Sequence, residues 1–323
     1  MSFKTLLTTL LATASLSFGG GASAASAAYP DKPVTLVVGF SPGSSIDMVA
    51  RAVAQKLGDR LHQTVIVDNK AGAGGNVAAG QVARATPDGY QLLVVANSIA
   101  MAPAVYPDLK FDTQRDLRAI AYVGVGPVIL KVRKDRGFNT LADLIQYAKA
   151  NPGRLNYGSS GVGGTPHMAT VLFGKVAGVE MTHIPYKGGA DALTALLGGQ
   201  VDVLINPLLG DTASDRIASL AITGASRSAL APGVPTFGEA GYPAYDIGVY
   251  YGIMGPAGMP DAVVRQLNTA VNEVLADPAI VDSLTTRSGI VLKPGSAEQF
   301  QRFIDADIAR WKDVVKNDKS IKN

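Results

Sequence analysis

From residue 34 onward the chain repeats one order: a short β-branched apolar run, a loop rich in Gly and Ser, then apolar residues at helical spacing. Residues 34–40 form the first run and Ser41-Pro42-Gly43-Ser44-Ser45 the loop. Ile46, Val49, Ala50, Val53, Ala54, Leu57 and Leu61 then make the stripe of a helix. A continuous apolar run, unlike an alternating one, marks a strand covered on both faces. Such a strand needs helices on both sides of its sheet and neighbours reached through crossover helices. The order recurs at once. Residues 64–67 read as a second strand, Gly72-Ala73-Gly74-Gly75 leads into a small-residue helix over 76–85, and residues 91–96 read as a third strand. This alternation predicts a parallel sheet with helices on both faces.

A linking strand is expected over 119–132, and a second unit follows it. It contains a helix over 140–150, with Thr140 and Asp143 spaced as a capping box. A strand over 155–157, a helix over 166–177, a strand over 180–184 and a helix over 190–197 come next, and strands over 201–205 and 220–223 close the unit. Another linking strand is expected over 245–255. Beyond it the pattern is purely helical, over 261–276, 278–286 and 296–316, the last opened by Ser296 and Gln299 in capping-box positions. Helices without a sheet of their own must pack on an earlier one, so the chain is expected to return to the first unit. It would then cross between the units twice, near 124–130 and 246–254. The expected lobes are 28–127 plus 252–323, and 128–251.

The N-terminus reads as a secretory signal peptide over residues 1–27. Lys4 precedes a 14-residue apolar stretch over 5–18, too short to span a bilayer, and two A-x-A patterns follow at 22–24 and 25–27. A periplasmic location after cleavage is the expectation. The chain holds no Cys, which excludes disulfides, thiolate metal sites and Cys nucleophiles. With 47% hydrophobic residues it can bury a core without disulfides. Lys+Arg 29 against Asp+Glu 26 gives a net charge of +3, no reason to expect nucleic acid or an anionic membrane surface as partner.

Chemistry is expected in the loops that leave strands and open helices, where open α/β sheets bind ligands. The first, with Phe40, Ser41, Gly43, Ser44 and Ser45, offers hydroxyls and the free N–H groups of a helix start, which suit an anion. Asp47 is read as the capping partner of Ser44, because a carboxylate aimed at an anion would repel it. The segment from Gly39 to Gly43 also matches the G-x-S-x-G nucleophile elbow. Pro42 argues against that use: the residue after the serine must supply an oxyanion N–H, and proline has none. The second loop runs from Gly158 to Gly164 and brings Ser159, Ser160, Gly161, Gly164, Thr165 and His167 to another helix start. His167 could donate to an anion there; a packed or capping ring is the alternative. The third loop, 185–190, carries Tyr186 and Lys187. No P-loop or dinucleotide fingerprint is complete, and His62, His167 and His183 are scattered, so no cofactor or metal is expected. Asn97 and Ser98 after the third strand and Tyr250 on the second linking strand complete the contacts expected from the strand ends.

Several blocks, in order, resemble the Bug/TctC family of periplasmic solute receptors of tripartite tricarboxylate transporters. They include Tyr29-Pro30-Asp31-Lys32-Pro33-Val34, the loop from Phe40 to Asp47, Asn69-Lys70-Ala71-Gly72-Ala73-Gly74-Gly75-Asn76 and Ala85-Thr86-Pro87-Asp88-Gly89-Tyr90. Tyr157-Gly158-Ser159-Ser160-Gly161, His183-Ile184-Pro185-Tyr186-Lys187-Gly188, Leu197-Gly198-Gly199-Gln200-Val201-Asp202 and Gly255-Pro256-Ala257-Gly258 continue the pattern. The resemblance implies a type II periplasmic-binding-protein fold, two α/β lobes joined by two crossing strands. It also implies a carboxylate held in the interlobe cleft by backbone groups, hydroxyls and waters, and a monomer that serves the membrane subunits of the transporter. Where relatives often carry Gly-Gly-x-Asp this chain has Ser44-Ser45-Ile46-Asp47, which narrows the pocket. Asn206 stands where relatives often carry Asp, which favours a second carboxylate or neutral group over an amine. Tyr250 or Tyr251 stacking on a flat ligand would suit an aromatic dicarboxylate such as a phthalate isomer. The alternatives are a sensing module for a membrane sensor kinase and, against the Pro42 argument, a secreted serine hydrolase.

Overall fold

The computed structural model describes residues 29–208 and 215–316. The signal-peptide reading falls on residues 1–27, outside the described residues. The order is β1 (Val34–Val38), α1 (Ser45–Leu61), β2 (Val65–Asn69), α2 (Asn76–Ala83), β3 (Gln91–Val95), α3 (Ser98–Val105), α4 (Thr113–Asp116) and β4 (Leu117–Arg133). Then come α5 (Leu141–Ala150), β5 (Asn156–Ser159), α6 (Thr165–Ala177), β6 (Thr182–Pro185), α7 (Gly189–Leu197), β7 (Val203–Pro207) and β8 (Ile217–Ile222). The last elements are β9 (Gly248–Pro256), α8 (Asp261–Leu275), the short α9 (Pro278–Ile280), β10 (Val291–Leu292) and α10 (Ala297–Lys316).

Strand order is β2-β1-β3-β9-β4-β7-β5-β6, with β8 and β10 both on β4. The three expected N-terminal strands pair in parallel. In the second lobe β5 pairs in parallel with β6 and β7. The two halves meet on β4. Its first part pairs antiparallel with β9, from Leu117 opposite Pro256 to Pro127 opposite Gly248. Its last part pairs with β7 and β8. These long strands are the two crossings, hydrogen-bonded to each other where they leave the first lobe.

Local sequence accounts for most elements. The stripe on α1 is buried as spaced: Val49, Val53 and Leu57 are almost inaccessible against the sheet. Thr140 and Asp143 form the reciprocal capping box, and Ser296 and Gln299 exchange the same pair of bonds at the start of α10. The helical C-terminal region does return to the first lobe. α10 buries Phe300, Ile304, Ile308 and Trp311 and packs on α3 and β4. Gly252 of β9 leaves room for the Phe300 ring, where a Cβ would overlap it. The helix α3 has no counterpart among the sequence expectations, because it is apolar all round and contains Pro103, so no periodicity marks it.

The Ser44–Asp47 reading needs correction. Ser44 is the N-cap residue of α1, but its side chain makes no capping bond. Asp47 turns back to the loop instead, accepting from the Gly43 N–H at 2.9 Å, from Arg51 at 3.0 Å and from Asn69 at 2.9 Å. Burial by itself would raise its pKa, but these bonds outweigh it and hold the carboxyl below its usual range. The carboxylate is thus an internal brace of the first loop.

Candidate functional site

A cavity of about 120 Å³ lies between the lobes at the carboxyl ends of the strands. Phe40, Gly43, Ser44, Ser45 and Ile46 line it from the first lobe, Thr165, Pro166, Gly189 and Ala190 from the second. Ser160 and Asn206, after β5 and at β7, complete its polar side, and Ala96, Leu193, Pro207 and Val249 its apolar side.

Among the described residues the wall carries no Lys, Arg, His, Asp or Glu, yet it is not electrically neutral. The N-termini of α1, α6 and α7 converge on it, helices of 17, 13 and 9 residues. Among the described residues, no backbone partner is made by the N–H groups of Ser45, Ile46 and Asp47 in α1, of Thr165 and His167 in α6, or of Gly189, Ala190 and Asp191 in α7. Each helix start carries roughly half a positive charge and unsatisfied donors. Together they suit an anion whose charge is spread over both lobes. Ser44 and Asn206 are 6% and 5% exposed, and among the described residues the Ser44 hydroxyl and the Asn206 Oδ1 have no hydrogen-bond partner. Buried polar atoms without partners are costly, so both call for a ligand group or water.

Phe40, Gly43, Ser44, Ser45, Ser160, Thr165 and Asn206 therefore come together in one cavity. Ser41 sits at its rim, its hydroxyl 3.5 Å from the Asp191 carboxylate across the cleft. Gly161 and Tyr186 lie at the cleft mouth, with Lys187, in a separate hollow of about 340 Å³ that shares Ser160 with the main cavity. Gly164 caps α6, its N–H given to the Gly161 carbonyl at 3.1 Å.

Five candidates are placed otherwise. Asn97 is a staple rather than a wall: its Nδ2 donates to the Gly248 carbonyl at 3.0 Å and its Oδ1 accepts the Tyr250 N–H at 3.1 Å. Ser98 lies behind Phe40, in a small pocket beside Gly75. Ser159 is fully buried, its hydroxyl 2.6 Å from His183 Nε2 and 3.1 Å from the Gly161 N–H. The Ser159–His183 pair is not a usable nucleophile, because a hydroxyl without exposed surface cannot reach a substrate. His167 turns beneath the loop, where its Nδ1 accepts the Gly163 N–H at 3.1 Å. The Tyr250 ring packs on Phe303 at 4.9 Å and on Tyr122 at 6.3 Å, under α10. Side chains alternate along a strand, so Tyr251 faces the other way, buried beside Ser45. Neither ring lines the cavity, so the stacking platform is not there; Phe40 is the aromatic residue in the wall.

Sequence reasoning missed Ile46, Ala96, Pro166, Leu193, Pro207 and Val249, which are apolar and carry no chemical signature. Gly189 and Ala190 were within reach, since they open α7 by the same strand–loop–helix logic as the other two loops. A larger groove of about 980 Å³ meets the side of α6 rather than converging helix starts.

The lobes touch around the cavity. Tyr106 of the first lobe donates to the Val162 carbonyl of the second at 2.7 Å, and Thr165 reaches Asn97 at 3.4 Å.

Residues 49–319 match the family model described as tripartite tricarboxylate transporter family receptor. The chain is 34% identical to a solved Rhodopseudomonas palustris protein, Rpa4515 with adipate, over 89% of this chain and 97% of that one, with a TM-score of 0.82. Similarity to the periplasmic binding protein BugD is 30% over 89% and 98% of the two chains, TM-score 0.82. For MatC from Rhodopseudomonas palustris with bound malate it is 29% over 89% and 100%, again with a TM-score of 0.82.

Proposed function

Because the chain belongs to the tripartite tricarboxylate transporter receptor family, we propose that it is a periplasmic solute receptor that holds a small dicarboxylate between its lobes and delivers it to the transporter's membrane subunits. The observation that carries the ligand class is the convergence of the α1, α6 and α7 N-termini, from opposite lobes, on a cavity with no charged side chain among the described residues. One carboxylate would sit on the α1 end and the other on the α6 and α7 ends. A helix dipole balances an anion without the high desolvation cost that a buried Arg would bring.

A compact aliphatic chain, of malate to adipate length, suits the small apolar stretch between the two ends better than a phthalate ring, since Tyr250 is not available as a platform. The Asn206 amide, with no fixed charge, accepts a carboxylate or a neutral substituent and offers an amine no counter-charge.

The deciding measurement is a thermal-shift screen of succinate, malate, adipate, phthalate and citrate. A ligand at 100 times its dissociation constant adds about 2.7 kcal/mol of stability. A dicarboxylate of the malate-to-adipate series is expected to stabilise the protein most. No shift with any of them would remove the carboxylate reading.

The buried Ser44 hydroxyl gives a sharper check. Ser44→Ala is expected to leave the empty protein at least as stable as wild type, since the lost hydroxyl has no partner among the described residues. The same change should weaken dicarboxylate binding about ten- to a hundredfold, the worth of one charge-assisted bond. Calorimetry on the ligand and chemical denaturation of the empty protein test the two halves separately.

A further inference from the structure

The second lobe presents its donors on a segment that glycine makes hard to hold. Residues 158–164 contain Gly158, Gly161, Gly163 and Gly164, and Gly161 and Gly163 take φ of 103° and 67°. Glycine loses the most conformational freedom on ordering, so the Gly161 and Gly163 N–H groups need partners that fix their direction.

A buried stack beneath the loop does this. The His167 and His183 rings lie 4.1 Å apart at 26°, and Tyr157 stacks on His183 at 4.9 Å. His167 Nδ1 accepts the Gly163 N–H at 3.1 Å. His183 Nε2 lies 2.6 Å from the Ser159 hydroxyl, which in turn accepts the Gly161 N–H at 3.1 Å. The Gly164 N–H is taken by the Gly161 carbonyl. With 161, 163 and 164 tied inward, Ser160 and Thr165 are left facing the cavity.

We infer that His167 and His183 are positioning residues for ligand binding: as a neutral stacked pair they pin the Gly161 and Gly163 amides, and so aim the second lobe's anion donors into the cleft. The role rests on the cleft being the ligand site. It needs an acceptor at position 167, because Nδ1 must be unprotonated to take the Gly163 N–H, so the ring carries its proton on Nε2. Protonating both rings would set two like charges against each other across the stack. Burial pushes both down, His167 further because of His183, to about 3 and about 4. Both rings are therefore neutral at pH 7.

The test compares His167→Leu, which fills the space without an acceptor, with His167→Asn, whose amide oxygen stands in for Nδ1. Amide exchange of Gly161 and Gly163 and calorimetry with malate and adipate are measured on wild type and both variants at pH 7. The expected result is a folded Leu variant with a fast-exchanging Gly163 amide and at least ~tenfold weaker binding of whichever probe wild type takes. The Asn variant should restore slow exchange and bind within about threefold of wild type. Wild-type binding in the Leu variant, or an Asn variant as impaired as Leu, overturns the inference. Should wild type bind neither malate nor adipate, the malate-to-adipate expectation fails by itself, and the exchange contrast at Gly163 still decides whether His167 holds that amide. Nitrogen shifts of the wild-type rings decide it without any variant. A protonated Nδ1 on His167 at pH 7 overturns it.

Discussion

Replacing Gly74 with alanine is expected to keep the lobes from closing and to cost about a hundredfold in ligand affinity. Gly74 belongs to the loop that opens α2, in the first lobe. A Cβ at this position would overlap the Val162 carbonyl oxygen of the second lobe and stand 3.3 Å from the Tyr106 hydroxyl and 3.5 Å from the Gly164 nitrogen. These neighbours are backbone or hydrogen-bonded, so they cannot swing aside, and relief comes from parting the lobes. The Tyr106–Val162 bond would then lengthen beyond use. Ligand binding favours the closed arrangement only through contacts with both walls, so destabilising closure by about 2.8 kcal/mol reaches the ligand in full. Gly74 also has φ +63, and a side chain there costs about 1–2 kcal/mol locally. The control is Gly153→Ala in the second lobe, which has φ +73 and nothing within 4 Å of where the added methyl would stand. It carries the same strain without the collision. Small-angle scattering at saturating dicarboxylate should show a larger radius for Gly74→Ala than for wild type, and no change for Gly153→Ala. Equal radii and equal affinities would show that the two glycine loops do not govern closure.

Acid should unfold the protein earlier than its carboxylates alone require. His167 and His183 are held near 3 and 4, against an ordinary value of about 6.5. Between those values the unfolded chain binds protons that the folded chain refuses, so stability falls as pH falls. Each histidine contributes up to about 1.36 kcal/mol per pH unit in that window. His183 is the more exposed of the two, which reduces its share, and the pair should cost about 2–4 kcal/mol between pH 7 and 5. The charged and titratable groups facing the stack are few. Tyr157 lies on it, and Lys175 and Glu180 line the same groove. The lowered carboxyls of Asp47 and Asp116 lose their contribution only below the ordinary aspartate range, while burial raises Asp307, which takes up a proton as pH falls and offsets part of the loss, so it is the histidine variant that isolates the histidines. Urea midpoints at pH 7 and 5 provide the measurement. The double variant His167→Asn with His183→Gln should flatten the dependence, and a wild-type midpoint that does not move between those pH values would contradict a buried neutral pair.

The local code decided a great deal about this protein. Continuous β-branched runs and helical stripes specify parallel strands and crossover helices wherever they occur, because burial on two faces and on one face leave different periods in sequence. Thr140 with Asp143, and Ser296 with Gln299, set helix starts within four residues of chain. After residue 256 the sequence reads as helical, and the two-residue β10 found there pairs with β4 of the earlier sheet, so the C-terminal helices had to return to the first lobe, and the two crossings follow from that return. The loops at Ser44 and Thr165 could be placed at the cavity because strand ends and helix starts carry their own chemistry, whereas Asn206 was named through the family resemblance. Tertiary structure settled which way each side chain faces and what lies across the cleft. Tyr250 sits at the crossing as expected, but the strand's alternation turns its ring under α10 toward Phe303, and no local pattern records that choice. His167 occupies a helix start and points away from the cleft, because the Gly163 N–H and the His183 ring, from separate elements, give it a better place beneath the loop. Gly74 and Val162 meet although they stand 88 positions apart in the chain. A contact of that kind depends on how two lobes close, which is a property of the packed molecule and of no segment within it.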